Sequence, residues 1–279
     1  MMLKKRVISA LIAIGVGAPF IIFAGKFAIY LFTLIIHAAC LYEYFNMTMG
    51  KDSPKELRLS GVFTGIAVLF IYIFFGKAAF ISALTITVIS YAVYFLIRMD
   101  KNLDELTPKN NSQVGKVITD LSLIIFGIFF FSLLLSYIPL LRDSYDGLKW
   151  VIMLMAVVWL GDTGAFFTGS KYGKRKLYPK ISPNKSLEGA FGGIIFSIVA
   201  AVLCKWIFFW SLDYVDCIVL GTIGAVFGQV GDLVESMFKR AVAVKDSGSV
   251  MPGHGGVLDR FDGIIFAAPF FYFYVSMFF

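Results

Sequence analysis

Three stretches of this 279-residue chain carry residues able to do chemistry, and all lie beyond residue 150. In Gly228-Gln-Val-Gly-Asp-Leu-Val-Glu-Ser-Met-Phe-Lys-Arg240, helical spacing puts Asp232, Ser236 and Lys239 at i, i+4 and i+7 on one face. A carboxylate, a hydroxyl and an ammonium then point at the same volume. A Glu235–Lys239 salt bridge that merely eases burial is the plainer reading of that pair. The next segment, Lys245-Asp-Ser-Gly-Ser-Val-Met-Pro-Gly-His-Gly-Gly-Val-Leu-Asp-Arg-Phe-Asp-Gly263, sets Gly253, Gly255 and Gly256 around His254. Glycines there let the backbone turn through positive φ and aim N–H groups at phosphate oxygens. Asp259 and Asp262 follow at i, i+3, with Arg260 between them. Carboxylates beside a phosphate site are what Mg²⁺ takes, together with phosphate oxygens and water.

The third stretch is cationic, with Lys171, Lys174, Arg175, Lys176, Lys180 and Lys185 before Gly189. Its Ser182-Pro-Asn-Lys-Ser-Leu-Glu segment predicts a turn; Ser186 caps the following helix, and Glu188 sits at that helix's positive end. Capping accounts for Ser186 but not for Asn184 and Lys185, which are placed near a nucleotide. The cluster Lys174–Lys176 is better explained as the basic side of a membrane loop, drawn to anionic lipid, than as a triphosphate site.

The elements that hold these stretches are hydrophobic spans. Hydrophobic residues make up 59% of the chain and charged residues 15%, with 30 Phe. Soluble domains are nearer 45–50% apolar and about 25% charged, so lipid must be much of the solvent. Runs of about 20 apolar residues fall near 7–24, 27–45, 60–76, 78–97, 118–141, 149–170, 189–210, 216–235 and 263–279. The predicted fold is an all-α, polytopic transmembrane bundle of about nine spans, N-terminus cytoplasmic and C-terminus opposite. On that topology every Lys and Arg falls in an inner segment except Lys26, Lys77, Arg142, Lys149 and Lys205, as the positive-inside rule demands. Lys4-Lys5-Arg6 and the first run resemble a signal peptide, but the second run follows at once, so an uncleaved span is expected. Asp162, in Trp159-Leu-Gly-Asp-Thr-Gly-Ala-Phe166, lies within a span, where a carboxylate costs roughly 2.5–3.5 kcal/mol and needs a reason. His37 is expected as a hydrogen-bonded interior residue, and Cys40, Cys204 and Cys217 as small hydrophobes. The formal charge of +7 suits an anionic partner; basic residues confined to loops between spans argue against nucleic acid. Residues 1–148 are expected as plain N-terminal helices and 149–279 as the catalytic region.

Ser236-Met-Phe-Lys-Arg240, Lys245-Asp246 and Pro252-Gly-His-Gly-Gly-Val-Leu-Asp-Arg-Phe-Asp262 together resemble the signature of the phosphatidate cytidylyltransferases, or CDP-diacylglycerol synthases. Gly161-Asp-Thr-Gly-Ala-Phe-Phe167 and Ile181-Ser-Pro-Asn-Lys-Ser-Leu-Glu-Gly189 are similar to that family too, so the resemblance covers about 155–263; Met251 is a conservative departure. It implies transfer of CMP from CTP to phosphatidic acid, giving CDP-diacylglycerol and pyrophosphate, with Mg²⁺, in the cytoplasmic membrane, by a multi-helical homodimer. It further implies a metal centre at Asp232 and Asp259. With that reaction in view, Asp246, Asp262 and Ser236 become candidates for a second cation or an outer shell. Lys239, Arg240, Lys245 and Arg260 are phosphate-binding candidates, Gly255 and Gly256 line the nucleotide, and His254 either donates to departing pyrophosphate or serves the turn. Two rivals remain on the sequence: a CTP-dependent isoprenoid lipid kinase, and an ion or solute transporter using Asp162 and Asp232 at the midplane.

Overall fold

The computed structural model describes residues 25–50, 53–102, 111–248 and 255–279. The expected span 7–24 and His254 lie outside the described residues. The described elements are α1 (Lys26–Thr48), α2 (Lys55–Asn102), α3 (Asn111–Leu135), α4 (Tyr137–Asp143) and α5 (Gly147–Tyr172). A hairpin of β1 (Lys176–Tyr178) and β2 (Ser182–Ser186) follows, then α6 (Leu187–Ile207), α7 (Tyr214–Ala241) and α8 (Leu258–Phe278). The fold is all-α apart from that antiparallel hairpin, which the sequence reading did not anticipate. Among the described residues, seven helices are long and apolar enough to cross a membrane, the organisation of a multi-pass membrane protein. Phe63, Phe75, Leu96, Phe166, Phe191 and Val215 are among many large apolar side chains left exposed on them. Surfaces of that kind suit acyl chains rather than water.

The apolar stretch Lys55–Ile97 has 43 residues; an unbroken helix of that length runs about 65 Å, twice a hydrocarbon core of about 30 Å. It is broken at Gly76, with φ 83° and ψ −172°, a left-handed value that only glycine adopts without strain. The expected spans 60–76 and 78–97 meet at that break.

The described chain divides into two units, Phe32–Ser136 and a second made of the described residues up to Leu31 with Tyr137–Phe279. In the first, helices approach where a side chain is missing. A Cβ at Gly127 would lie 2.6 Å from the Tyr44 ring, and one at Gly65 would lie 3.0 Å from His37 Nε2. His37 is fully buried with Ser132 Oγ 3.4 Å from its Nε2, an interior residue as expected. Buried Asp120 accepts from Ser53 Oγ at 2.8 Å. Cys40, Cys204 and Cys217 are all free and buried.

The second unit carries the chemistry-bearing stretches. Both α7 and α8 run past the apolar segments that announced them. The first continues to Ala241 rather than 235, and the second begins at Leu258 rather than 263. Hydropathy marks where apolar side chains stop, whereas a helix stops where its hydrogen-bond ladder does. Consequently Asp232, Glu235, Ser236, Lys239, Arg240, Asp259, Arg260 and Asp262 all project from helix.

Candidate active site

The site forms where α5 and α7 near their C-terminal ends meet the beginnings of α6 and α8. Helix α7 reaches α8 so closely at Gly231 that an added Cβ would run into the Asp262 carbonyl and sit 3.0 Å from Phe266 Cβ. One turn away, Gly263 and Gly228 pack backbone to backbone, a Cβ on Gly263 falling 3.3 Å from Gly228 Cα. That contact brings carboxylates from two helices together. One oxygen each of Asp232, Glu235 and Asp262 lies within 4.8 Å of the other two.

Glu235 and Asp262 are buried. Like charges at such spacing repel by about 3 kcal/mol per pair at an effective dielectric near 20, so the cluster requires cations. Lys185, from the end of β2, places Nζ 2.6 Å from Asp232 Oδ2. Lys239 places Nζ 2.5 Å from Glu235 Oε2 and 2.6 Å from Asp259 Oδ1. Glu235 Oε1 is buried and meets no hydrogen-bond partner. An unpartnered buried acceptor on one member of a three-carboxylate group, all hard oxygen donors, fits a divalent cation of the Mg²⁺ kind.

Asp259 is held differently. Its Oδ2 accepts from Ser247 N at 3.1 Å, Ser247 Oγ at 3.0 Å and Gly256 N at 2.8 Å, while Oδ1 takes Lys239. The Gly256 N–H anticipated for a phosphate is therefore spent on Asp259. Gly255 supports the turn with φ 80°, and a Cβ there would lie 2.7 Å from Asp259 Oδ2. Ser236 Oγ donates to Asp232 Oδ1 at 3.3 Å. Ser186 caps α6 by accepting from Gly189 N at 3.1 Å. Arg240 donates from Nε to the Ile181 carbonyl at 3.3 Å and from a terminal nitrogen to the Val244 carbonyl at 3.1 Å, so it ties the hairpin to the end of α7. Asn184, Lys245, Asp246 and Arg260 are exposed.

Two residues gain weight beyond what the sequence gave them. Glu235, read there as half of a plain salt bridge, is a member of the carboxylate cluster. Asp162 on α5 stands within electrostatic reach of Asp232, Lys185 and Arg260, which supplies the reason its place in a span demanded. The signal for both was the same, an acid in apolar sequence.

The Gly231 contact gives a test. Gly231→Val forces α7 and α8 apart and is expected to lower stability by about 1–3 kcal/mol, the usual range for overpacking. It should also raise the Mg²⁺ concentration needed for half-maximal turnover. Wild-type melting and metal dependence in that variant would show that the helix contact does not assemble the cluster.

Comparison with known proteins follows the same residues. The pattern of the Cytidylyltransferase family matches residues 4–278. A phosphatidate cytidylyltransferase of Bacillus subtilis is 32% identical over 278 residues, covering 99% of this chain and 98% of its own. One from Staphylococcus haemolyticus is 33% identical over 267 residues, 96% of each chain. A third, from Staphylococcus aureus strain COL, is 30% identical over 275 residues with the same coverage. The similarity thus extends through the N-terminal helices, well beyond the motif-bearing region 155–263.

Proposed function

Since the chain belongs to the phosphatidate cytidylyltransferase family, we propose that the carboxylate cluster and its two lysines are where it transfers CMP from CTP to phosphatidate. The observation that carries this reading is the grouping of Asp232, Glu235 and Asp262 within 4.8 Å, with Lys185 and Lys239 against it.

A phosphate oxygen of phosphatidate attacks the α-phosphorus of CTP. One P–O bond forms, the α–β P–O bond breaks, and pyrophosphate leaves with the electron pair. The attacking oxygen is already anionic at neutral pH, so no general base is needed. The obstacle is repulsion between two anions that must stand in line, and opposing charge held in place lowers it. Asp232 and Asp262 would hold Mg²⁺ with Glu235, and the ion would supply Lewis-acid neutralisation of the phosphoryl oxygens when bound. Lys185 and Lys239 supply ammonium groups at the same place. Asp259 keeps Lys239 in position and holds Ser247 and Gly256 against the start of α8. The metal centre at Asp232 and Asp259 that family resemblance implies is compatible with this layout if Asp259 exchanges Lys239 for a second cation. Arg240, Arg260, Lys245 and Asn184 belong to the approach of the triphosphate, with Asp246 at its exposed edge, and His254 is assigned to donate to departing pyrophosphate.

The reading extends to location. Nine spans, an inward N-terminus and a cytoplasmic site let water-soluble CTP and membrane-held phosphatidate each arrive from its own phase. The basic hairpin and the ends of α5 and α7 carry the positive charge expected of a cytoplasmic face. A homodimer is part of the same proposal.

Purified protein in detergent, given radiolabelled CTP, phosphatidate and Mg²⁺, is expected to form CDP-diacylglycerol and pyrophosphate, and to stop when EDTA removes the metal. Phosphorylated lipid with CDP, or no CTP consumption at all, would overturn the assignment.

A further inference from the structure

We propose that Glu188 is a positioning residue: it holds the first strand of the hairpin on the start of α6 and thereby aims Lys185 at the acidic cluster. The proposal rests on the phosphate-binding role given to Lys185 above.

A glutamate in the first turn of a helix ordinarily needs no more explanation than the positive helix end. Glu188 does more than sit there. Its carboxylate accepts from the backbone N–H of Lys174 at 3.0 Å and of Arg175 at 3.2 Å, the two residues that lead directly into β1. Ser186, two positions earlier, already caps α6 through Gly189 N, so Glu188 is not required as the cap. The tie is reinforced on both sides. Lys176 pairs with Ser186, and the Leu187 N–H donates to the Arg175 carbonyl at 2.9 Å. Ser186 is buried against Gly169, Gly173 and Gly189, so residues 186–188 form a fixed base.

The tip of the hairpin is held separately, by Arg240 on the Ile181 carbonyl. Lys185 lies between these two ties and reaches Asp232 at 2.6 Å. A lysine side chain is long and flexible, so where its ammonium falls depends on where its backbone is pinned. Two very short strands give little pinning of their own. Removing the Glu188 tie frees β1, so β2 loses the partner strand that holds its course between Ser186 and the tip, and Lys185 drifts. A misplacement near 1 Å in a phosphoryl-transfer site costs up to about 100-fold in rate.

Glutamine separates the two explanations of Glu188, since it keeps an oxygen that accepts N–H bonds and loses the charge. Glu188→Ala is expected to lower kcat/KM for CTP by about 10- to 100-fold, mainly through KM, and Glu188→Gln to recover most of it. In a Lys185→Met background, Glu188→Ala should add little, because the group it aims is gone. A second readout needs no turnover. Trypsin cleavage after Lys174, Arg175, Lys176 and Lys180 in the intact detergent-solubilised protein should speed up in Glu188→Ala and stay near wild type in Glu188→Gln. Equal impairment in the alanine and glutamine variants, or equal cleavage in all three proteins, would overturn the strap. Full turnover in Lys185→Met would instead overturn the phosphate role of Lys185, and the two failures read out in different assays.

Discussion

Asp232→Asn is expected to reduce cytidylyl transfer by about 10²–10³-fold while the protein still inserts and melts near the wild-type temperature. The size follows from what the carboxylate contributes. A metal that neutralises developing phosphoryl charge is worth several kcal/mol, and each 1.36 kcal/mol is tenfold in rate. Asparagine keeps the shape and one oxygen, so the loss isolates charge. Stability should move little, because Asp232 is only half-buried and Lys185, whose Nζ is buried but whose side chain is 23% exposed, is flexible enough to turn the released ammonium out to water. Asp262→Asn tests the same centre from α8. Asp262 Oδ1 also accepts from Gly263 N at 2.7 Å, a bond the amide oxygen can keep. Both variants should need more Mg²⁺ for the activity that remains. Normal Mg²⁺-dependent turnover in Asp232→Asn would remove the cluster from the mechanism.

How far the sequence led to this centre varies from residue to residue. Asp232, Ser236 and Lys239 were legible because a helix repeats every 3.6 residues and their spacing obeys it. The partners they choose were not legible. Asp259 and Asp262 are three residues apart on α8, and sequence spacing treats them alike. The packing of Gly231 against Asp262 turns one toward Asp232 and Glu235, while Lys239, Ser247 and Gly256 take up the other. That division is made by contacts between helices, which no local pattern encodes. The hairpin escaped for another reason. Its strands are three and five residues long, largely polar, and one contains Pro183, so neither alternation nor β-propensity marks them. The break in α2, by contrast, was visible as the boundary between the expected spans 60–76 and 78–97, and the positive φ at Gly76 lies at the end of the first of them. The relationship of the first 150 residues to known cytidylyltransferases also went unseen. They carry no fixed polar motif, and hydrophobic spans resemble one another whatever their ancestry.

Lys239→Met is expected to be the most destabilising single change at the site, by about 3–5 kcal/mol, because it breaks a buried ionic group from its centre. Lys239 and Glu235 keep only 11% and 4% of their side chains exposed, and Asp259 keeps 12%. Pairs on the surface contribute little, but removing one member of a buried set strands its partners without compensation. Here a single ammonium serves two carboxylates, and Glu235 Oε1 already lacks a donor. Methionine fills nearly the same volume, so packing is preserved and the penalty reports charge. The three cysteines are all buried and free, so a thiol-reactive dye that fluoresces on exposure gives the melting curve directly. If stranded charge is the cause, Glu235→Gln in the Lys239→Met background should restore a substantial part of the lost stability, since it removes the carboxylate left without a donor, whereas Asp259 keeps Ser247 and Gly256. Losses that simply add in the double variant would mean that Lys239 stabilises α7 by its hydrocarbon stem, and that the carboxylates are neutralised some other way. Restored stability without restored turnover is the expected pairing, because the ammonium that steadies the carboxylate cluster is also the one offered to phosphate.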